Sequence, residues 1–208
     1  MKNLEKKLRG VLEKLSESGI VDDFYLAGGT ALYLRYHHRI SEDLDFFLNP
    51  EKEVSFEKLG KRISKIGKIE DFREDTLIGV IDGIRVSFFK YSYPLIKPLE
   101  SLDGIFIASD IDIACMKSVA IIQRGIKKDF YDLWYLMRIH KWKLRFLIEQ
   151  CKKKYGQYFN QDVFLKALVF FEDAEKTVIP DIDRDWDKVK EYFRQIVLEE
   201  IFNTEDEF

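Results

Sequence analysis

The sequence predicts an α+β chain in two parts: a small mixed β-sheet domain with flanking helices over residues 1–108, then a helical domain over residues 109–208. Three observations carry this. Short apolar runs of strand length lie between residues 21 and 107, and one pair of them is joined by Asp82-Gly83, a dipeptide suited to a tight hairpin turn. From Asp110 onward the apolar residues recur at helical spacing, with Gly125, Gly156 and Pro180 as breaks. With 46% hydrophobic residues, including 17 Phe, 10 Tyr and 3 Trp, the 208-residue chain can bury a real core.

The elements follow in order. Leu4, Leu8, Val11, Leu12 and Leu15 stand at helical spacing among mixed acids and bases, unlike the apolar centre of a signal peptide. Residues 21–27 read as a short strand, Gly28-Gly29 as a turn, and Thr30 as the N-cap of a helix over residues 31–36. Residues 44–48 make a second strand that stops at Asn49-Pro50, and residues 54–66 a helix. The hairpin pairs residues 76–81 with 84–89, Pro94 and Pro98 bound a loop, and residues 104–107 form a last strand. A helix over residues 110–124 opens the second part, and there is neither an internal repeat nor a low-complexity linker.

Composition excludes some functions. A net charge of -3 gives no bulk positive field, so a nucleic-acid partner has to be held by a local patch. Cys115 and Cys151 lack metal-ligand spacing, and His37, His38 and His140 have no cysteine nearby, so neither a disulfide framework nor a zinc site is indicated. No long apolar run offers a membrane span, and a cytoplasmic protein is the expectation.

The chemistry concentrates between residues 26 and 47. Side chains of a strand alternate between faces, so Asp43 and Asp45 project to one side while Leu44, Phe46 and Leu48 take the core face. Two ionised carboxylates that close repel, and a hard cation such as Mg²⁺, which takes oxygen ligands together with substrate phosphates, makes the arrangement favourable. Gly28 and Gly29 allow close backbone approach, and the helix that follows offers its N–H groups and dipole to a phosphate. Alone, Gly-Gly-Thr is a turn and Asp-x-Asp a solvated surface; in the order strand, glycines, helix, carboxylate strand they point to phosphoryl or nucleotidyl transfer.

The stretch LAGGTALYLRYHHRISEDLDFF resembles the nucleotidyltransferase AbiEii/AbiGii toxin family. That pattern has Gly-Gly-Thr or Ser, an Arg-x-Ser-x-Asp-Leu-Asp block, a helical lysine, and a Lys-Asp-x-x-Asp-Leu block. Here they are Gly28-Gly29-Thr30, Arg39 through Ser41 and Asp43 to Asp45, Lys117, and Lys128-Asp129-Phe130-Tyr131-Asp132-Leu133. The resemblance spans about residues 20–140. It implies a DNA polymerase β-like nucleotidyltransferase core with a helical C-terminal domain, acting as the toxin of a toxin–antitoxin or abortive-infection pair with a cognate antitoxin. It implies transfer of an NMP from an NTP to an acceptor hydroxyl on RNA such as tRNA, with Mg²⁺ or Mn²⁺ on Asp43 and Asp45. Gly28, Gly29, Thr30, Arg39, Ser41 and Lys117 would bind the nucleotide, and Asp43, Asp45, Lys117, Asp129 and Asp132 would be the catalytic set.

Outside the first block the residues leave alternatives open. Lys117 lies in a helix that is apolar almost all round, so it either meets an anionic partner or snorkels to solvent. Asp129 and Asp132 share a helix face and either hold Lys117 or Arg124, orient a metal-bound water, act as a base, or are simply solvated. The family's fold commonly carries a third carboxylate on a later strand, where this chain has Ser87 or Arg85. A catalytically inactive nucleotide-binding or partner-binding module is therefore the alternative. For RNA, the candidate patch joins Arg138, His140, Lys141, Lys143 and Arg145 with Lys152, Lys153 and Lys154, interleaved with Trp142 and Tyr155. The acidic tail, Glu199-Glu200 through Glu207, is either disordered or a cover for that patch.

Overall fold

The computed structural model describes residues 2–205, and Asp206 and Glu207 of the acidic tail lie outside the described residues. The chain divides into two compact units, the first ending at Ser109 and the second beginning at Asp110.

In the first unit, seven strands among the described residues form one mixed sheet: β1 (Phe24–Ala27), β2 (Leu44–Leu48), β3 (Lys68–Phe72), β4 (Thr76–Ile81), β5 (Ile84–Phe89), β6 (Glu100–Leu102) and β7 (Ile105–Ile107). Their order is β3-β4-β5-β2-β1-β7-β6, with β2 parallel to β5, β1 parallel to β7 and the other neighbours antiparallel. Leu44, Phe46, Leu77, Ile81, Val86 and Phe88 are buried, and Phe46 stacks on Phe88 with ring centroids 5.3 Å apart. Helix α1 (Lys2–Glu17) inserts Leu8, Val11, Leu12 and Leu15 into the core, and α3 (Phe56–Ile63) inserts Phe56, Leu59 and Ile63 against β3 and β4. Between β1 and β2 runs α2 (Gly28–Tyr36).

Several boundaries differ from expectation. The first strand is shorter, residues 24–27 instead of 21–27, and α3 spans residues 56–63 instead of 54–66, because Ser55 accepts from the Lys58 N–H and caps its start. Thr30 is not an N-cap. The helix already begins at Gly28, with Ala27 as its extended cap, and Thr30 lies inside the first turn. Strands β3 and β6 had no counterpart in the sequence reading. The hairpin is as expected: Asp82 and Gly83 have φ of 50° and 79°, the two positive values of a type I′ turn.

The second unit is helical: α4 (Asp110–Gln123), α5 (Lys127–His140), α6 (Leu144–Tyr155), a 3₁₀ turn (Gly156–Tyr158), α7 (Gln161–Leu168), α8 (Glu172–Glu175), α9 (Pro180–Asp183) and α10 (Trp186–Glu205). Its centre is Phe130 of α5, whose ring meets Phe171, Trp186 and Phe193 at 5.3, 5.9 and 5.8 Å. No helix among the described residues is long and apolar enough to cross a membrane.

Candidate active site

The first unit gathers most of the expected site residues into one corner, where β1 hands over to α2 and β2 begins. Two glycines are needed there for two reasons. Gly28 has φ +73°, which a side-chain-bearing residue rarely adopts, and a Cβ there would lie 3.5 Å from Asp45 Oδ2. Gly29 needs space instead: a Cβ would meet Arg39 Nη2 at 2.3 Å and Ser41 Oγ at 2.9 Å. The buried Arg39 guanidinium thus lies over the glycine turn, and its Nη1 donates to the Ile40 carbonyl at 2.9 Å.

The Thr30 hydroxyl is buried and turned inward. It donates to the Asp43 carbonyl and lies 2.8 Å from Ser41 Oγ; with one proton to give, it must accept from Ser41. These bonds tie the first turn of α2 to the segment that precedes β2. Asp43 stands exposed just before β2, and Asp45 is half-buried within it, while Leu44 and Phe46 face the core. Asp45 therefore lies on the face of β2 opposite its buried apolar side chains. Asp45 pairs with Ala27 of β1 and with Ser87 of β5, so Ser87, and not the exposed Arg85, occupies the neighbouring-strand position where a third carboxylate would sit. Among the described residues, no three His, Cys, Asp or Glu side chains gather as a metal site. Asp43 and Asp45 offer two carboxylates, hard oxygen ligands. Such a pair fits a divalent cation that keeps several waters, as Mg²⁺ does.

In the second unit, Lys117 does not snorkel. It is buried, with Nζ 2.9 Å from Asp129 Oδ1 and 2.7 Å from Asp132 Oδ2, and both aspartates have no exposed surface. Arg124 completes the cluster, its Nε and Nη2 donating to Asp129 at 2.9 and 3.0 Å. Burial pushes the Asp129 carboxyl up, but the charges and hydrogen bonds of Lys117 and Arg124 outweigh it and hold the group below the ordinary carboxylate range. Of the options the sequence left open for these acids, the solvated face is excluded, and holding Lys117 and Arg124 is what the geometry displays.

The basic patch needs correction. Lys154 is fully buried and donates to Asp112 Oδ1 at 2.7 Å within α4, and Tyr155 is buried as well. Neither belongs to a surface. The Asp112–Lys154 pair escaped the sequence reading, although Lys154 shares the helical phase of Leu144, Leu147 and Cys151, which put it on the buried side of α6.

A family model described as nucleotidyl transferase AbiEii toxin, Type IV TA system, matches residues 10–102 and 104–202. A protein of Aquifex aeolicus (strain VF5) is 50% identical over 207 residues, covering 98% of this chain and 100% of that protein. Among solved structures, JHP933 from Helicobacter pylori aligns with a TM-score of 0.53 at 17% identity over 98% of this chain and 94% of its own. MenT4, the nucleotidyltransferase toxin Rv2826c from Mycobacterium tuberculosis H37Rv, aligns with a TM-score of 0.53 at 14% identity over 91% of this chain and 84% of its own. At such identities the two structures show a shared nucleotidyltransferase fold and nothing finer. The family model, running over nearly the whole chain, shows more: this chain belongs to the nucleotidyl transferase AbiEii toxin family of Type IV toxin–antitoxin systems.

Proposed function

We propose that the protein transfers a nucleoside monophosphate from an NTP to an acceptor hydroxyl on RNA, tRNA being the leading candidate, with Mg²⁺ or Mn²⁺ as the cation. The single observation that supports the reading is Asp45 on the half-buried side of β2 beside the backbone of Gly28, with Asp43 exposed just before the strand. Asp43 and Asp45 would hold the cation, which when bound neutralises charge on the phosphates. Gly28 and Gly29 let the start of α2 approach a triphosphate, whose charge suits the helix N-terminus. Arg39, fixed over Gly29, and Ser41 orient that turn, and Thr30 anchors it to Asp43 through the carbonyl. In the second unit, Asp129 and Asp132 act as positioning residues that hold Lys117 in its charged form. In-line displacement forms the new phosphate ester and releases pyrophosphate without a covalent enzyme intermediate, so no Ser/His or Cys/His pair is required.

Ser87 opposite Asp45 favours one other reading, a nucleotide-binding module without turnover. Incubation with Mg²⁺, each α-labelled NTP and total tRNA separates the two. Label on RNA with release of pyrophosphate supports transfer; nucleotide binding without label transfer supports the module and defeats the proposal.

A further inference from the structure

We infer that the corner between α5 and α6 is a docking surface for single-stranded RNA, with Trp142 as its stacking ring. The inference rests on the proposed RNA acceptor and gives that acceptor a place on the protein. His140 stacks face to face on Trp142 with centroids 4.4 Å apart and planes 12° apart, and the Phe146 ring stands 5.8 Å from Trp142. His140 is fixed from behind by Asp110, 2.6 Å from its Nε2. A ladder of this kind offers an unpaired base a preorganised π-surface.

Next to the ladder in sequence, Lys141, Lys143 and Arg145 are exposed, while the Arg138 guanidinium packs over Trp134, 4.6 Å from its ring centroid. Many lysines elsewhere are paired: Lys117, Lys127 and Lys154 are buried against aspartates, and Lys61, Lys176, Lys188 and Lys190 hold surface carboxylates. Among the described residues, Lys141, Lys143 and Lys153 have no carboxylate partner. Cations without carboxylate partners beside partly exposed rings are the charge complement of a phosphate backbone, and with an overall charge of -3 a nucleic acid has to be held by such a local patch.

A cavity of about 480 Å³ opens beside the ladder, lined by Trp142, Lys143, Arg145, Ile196, Glu199 and Glu200 among others. It falls in the size range of pockets that take small ligands. Lysine and arginine at its mouth suit phosphates. The exposed Leu198, Ile201 and Phe202 lie on the same helix as these glutamates and would suit a protein partner instead, but they bring no positive charge.

The test uses the full chain and a single-stranded oligoribonucleotide blocked with a 3′-phosphate, so that binding is read without transfer. Trp134 and Trp186 are buried, which leaves Trp142 as the half-exposed tryptophan that a stacked base can quench. The expected result is quenching on titration and an affinity that falls steeply as salt is raised. By fluorescence anisotropy of labelled RNA, Trp142→Ala should weaken binding at least about five-fold, and Lys141→Glu with Lys143→Glu at least about ten-fold. The charge variant, at exposed positions, covers the case in which Trp142→Ala fails to fold. RNA affinity of either folded variant within about two-fold of wild type overturns the inference. So does a protein partner that the Lys141/Lys143 variant loses while RNA fails to bind wild type. Transfer onto RNA by wild type with undiminished RNA affinity in both variants would defeat this surface alone and leave the proposed reaction standing.

Discussion

Replacing Lys117 by methionine separates the charge of its ammonium from the packing of its stem, because the two side chains are of similar length. The substitution removes the ammonium between Asp129 and Asp132. Asp129 keeps the two-pronged contact from Arg124, but Asp132, with no exposed surface, loses its lysine. Removing one partner of a buried pair costs about 3–5 kcal/mol, since the remaining carboxylate stays out of water and loses the attraction of the ammonium. At roughly 2–4 °C per kcal/mol for a chain of this size, Tm should fall by about 6–20 °C. Adding Asp132→Leu removes the buried carboxylate as well and should recover part of that loss. Melting curves by circular dichroism for wild type, the single and the double variant at neutral pH give these quantities. A Lys117→Met protein that melts within about 2 °C of wild type at neutral pH would refute the reasoning.

Three further outcomes are expected. Ser87→Asp adds a carboxylate beside Asp45 and should lower Tm without metal, yet give a larger Tm rise than wild type on adding Mg²⁺ or Mn²⁺; an equal rise would count against that position as a metal neighbour. Asp129 is held below its ordinary pKa in the folded state, so its stabilisation is present above the unfolded value near ~4 and lost as pH falls through the folded one; Asp129→Asn should flatten that part of the acid unfolding curve. The Cys115 thiol is raised by its hydrogen bond to Cys151 and by burial, and both cysteines are fully buried, so iodoacetamide should label neither in the native protein and both after denaturation.

What the sequence made legible was local. The hairpin could be read because Asp-Gly, whose two residues take positive φ, set its turn, and β2 because the buried Leu44, Phe46 and Leu48 recur at every second position. Strand β3 could not: Lys68–Phe72 is an edge strand with no fully buried residue and a register shift between Ile69 and Asp71, so it carries almost no apolar signal. Thr30 resembled a cap because its bond partners, Ser41 and the Asp43 carbonyl, come together only when β2 returns beside β1. The buried acids had a signal that charge obscured. Asp129, Asp132, Leu133 and Leu136 follow the i, i+3, i+4, i+7 phase of a buried stripe, as Lys154 does on α6.

The central proposal is that Asp43 and Asp45 hold the cation on which the transfer depends. Its most direct measurement is the rate at which α-labelled NTP marks total tRNA with wild type, Asp43→Asn and Asp45→Asn, each shown by its melting curve to be folded. Asparagine keeps the size of aspartate but removes the charge that a hard cation requires, so each variant should lose most of the rate, and the double variant should be scarcely worse than the poorer single. Folded Asp43→Asn and Asp45→Asn proteins that label tRNA at the wild-type rate would contradict the account.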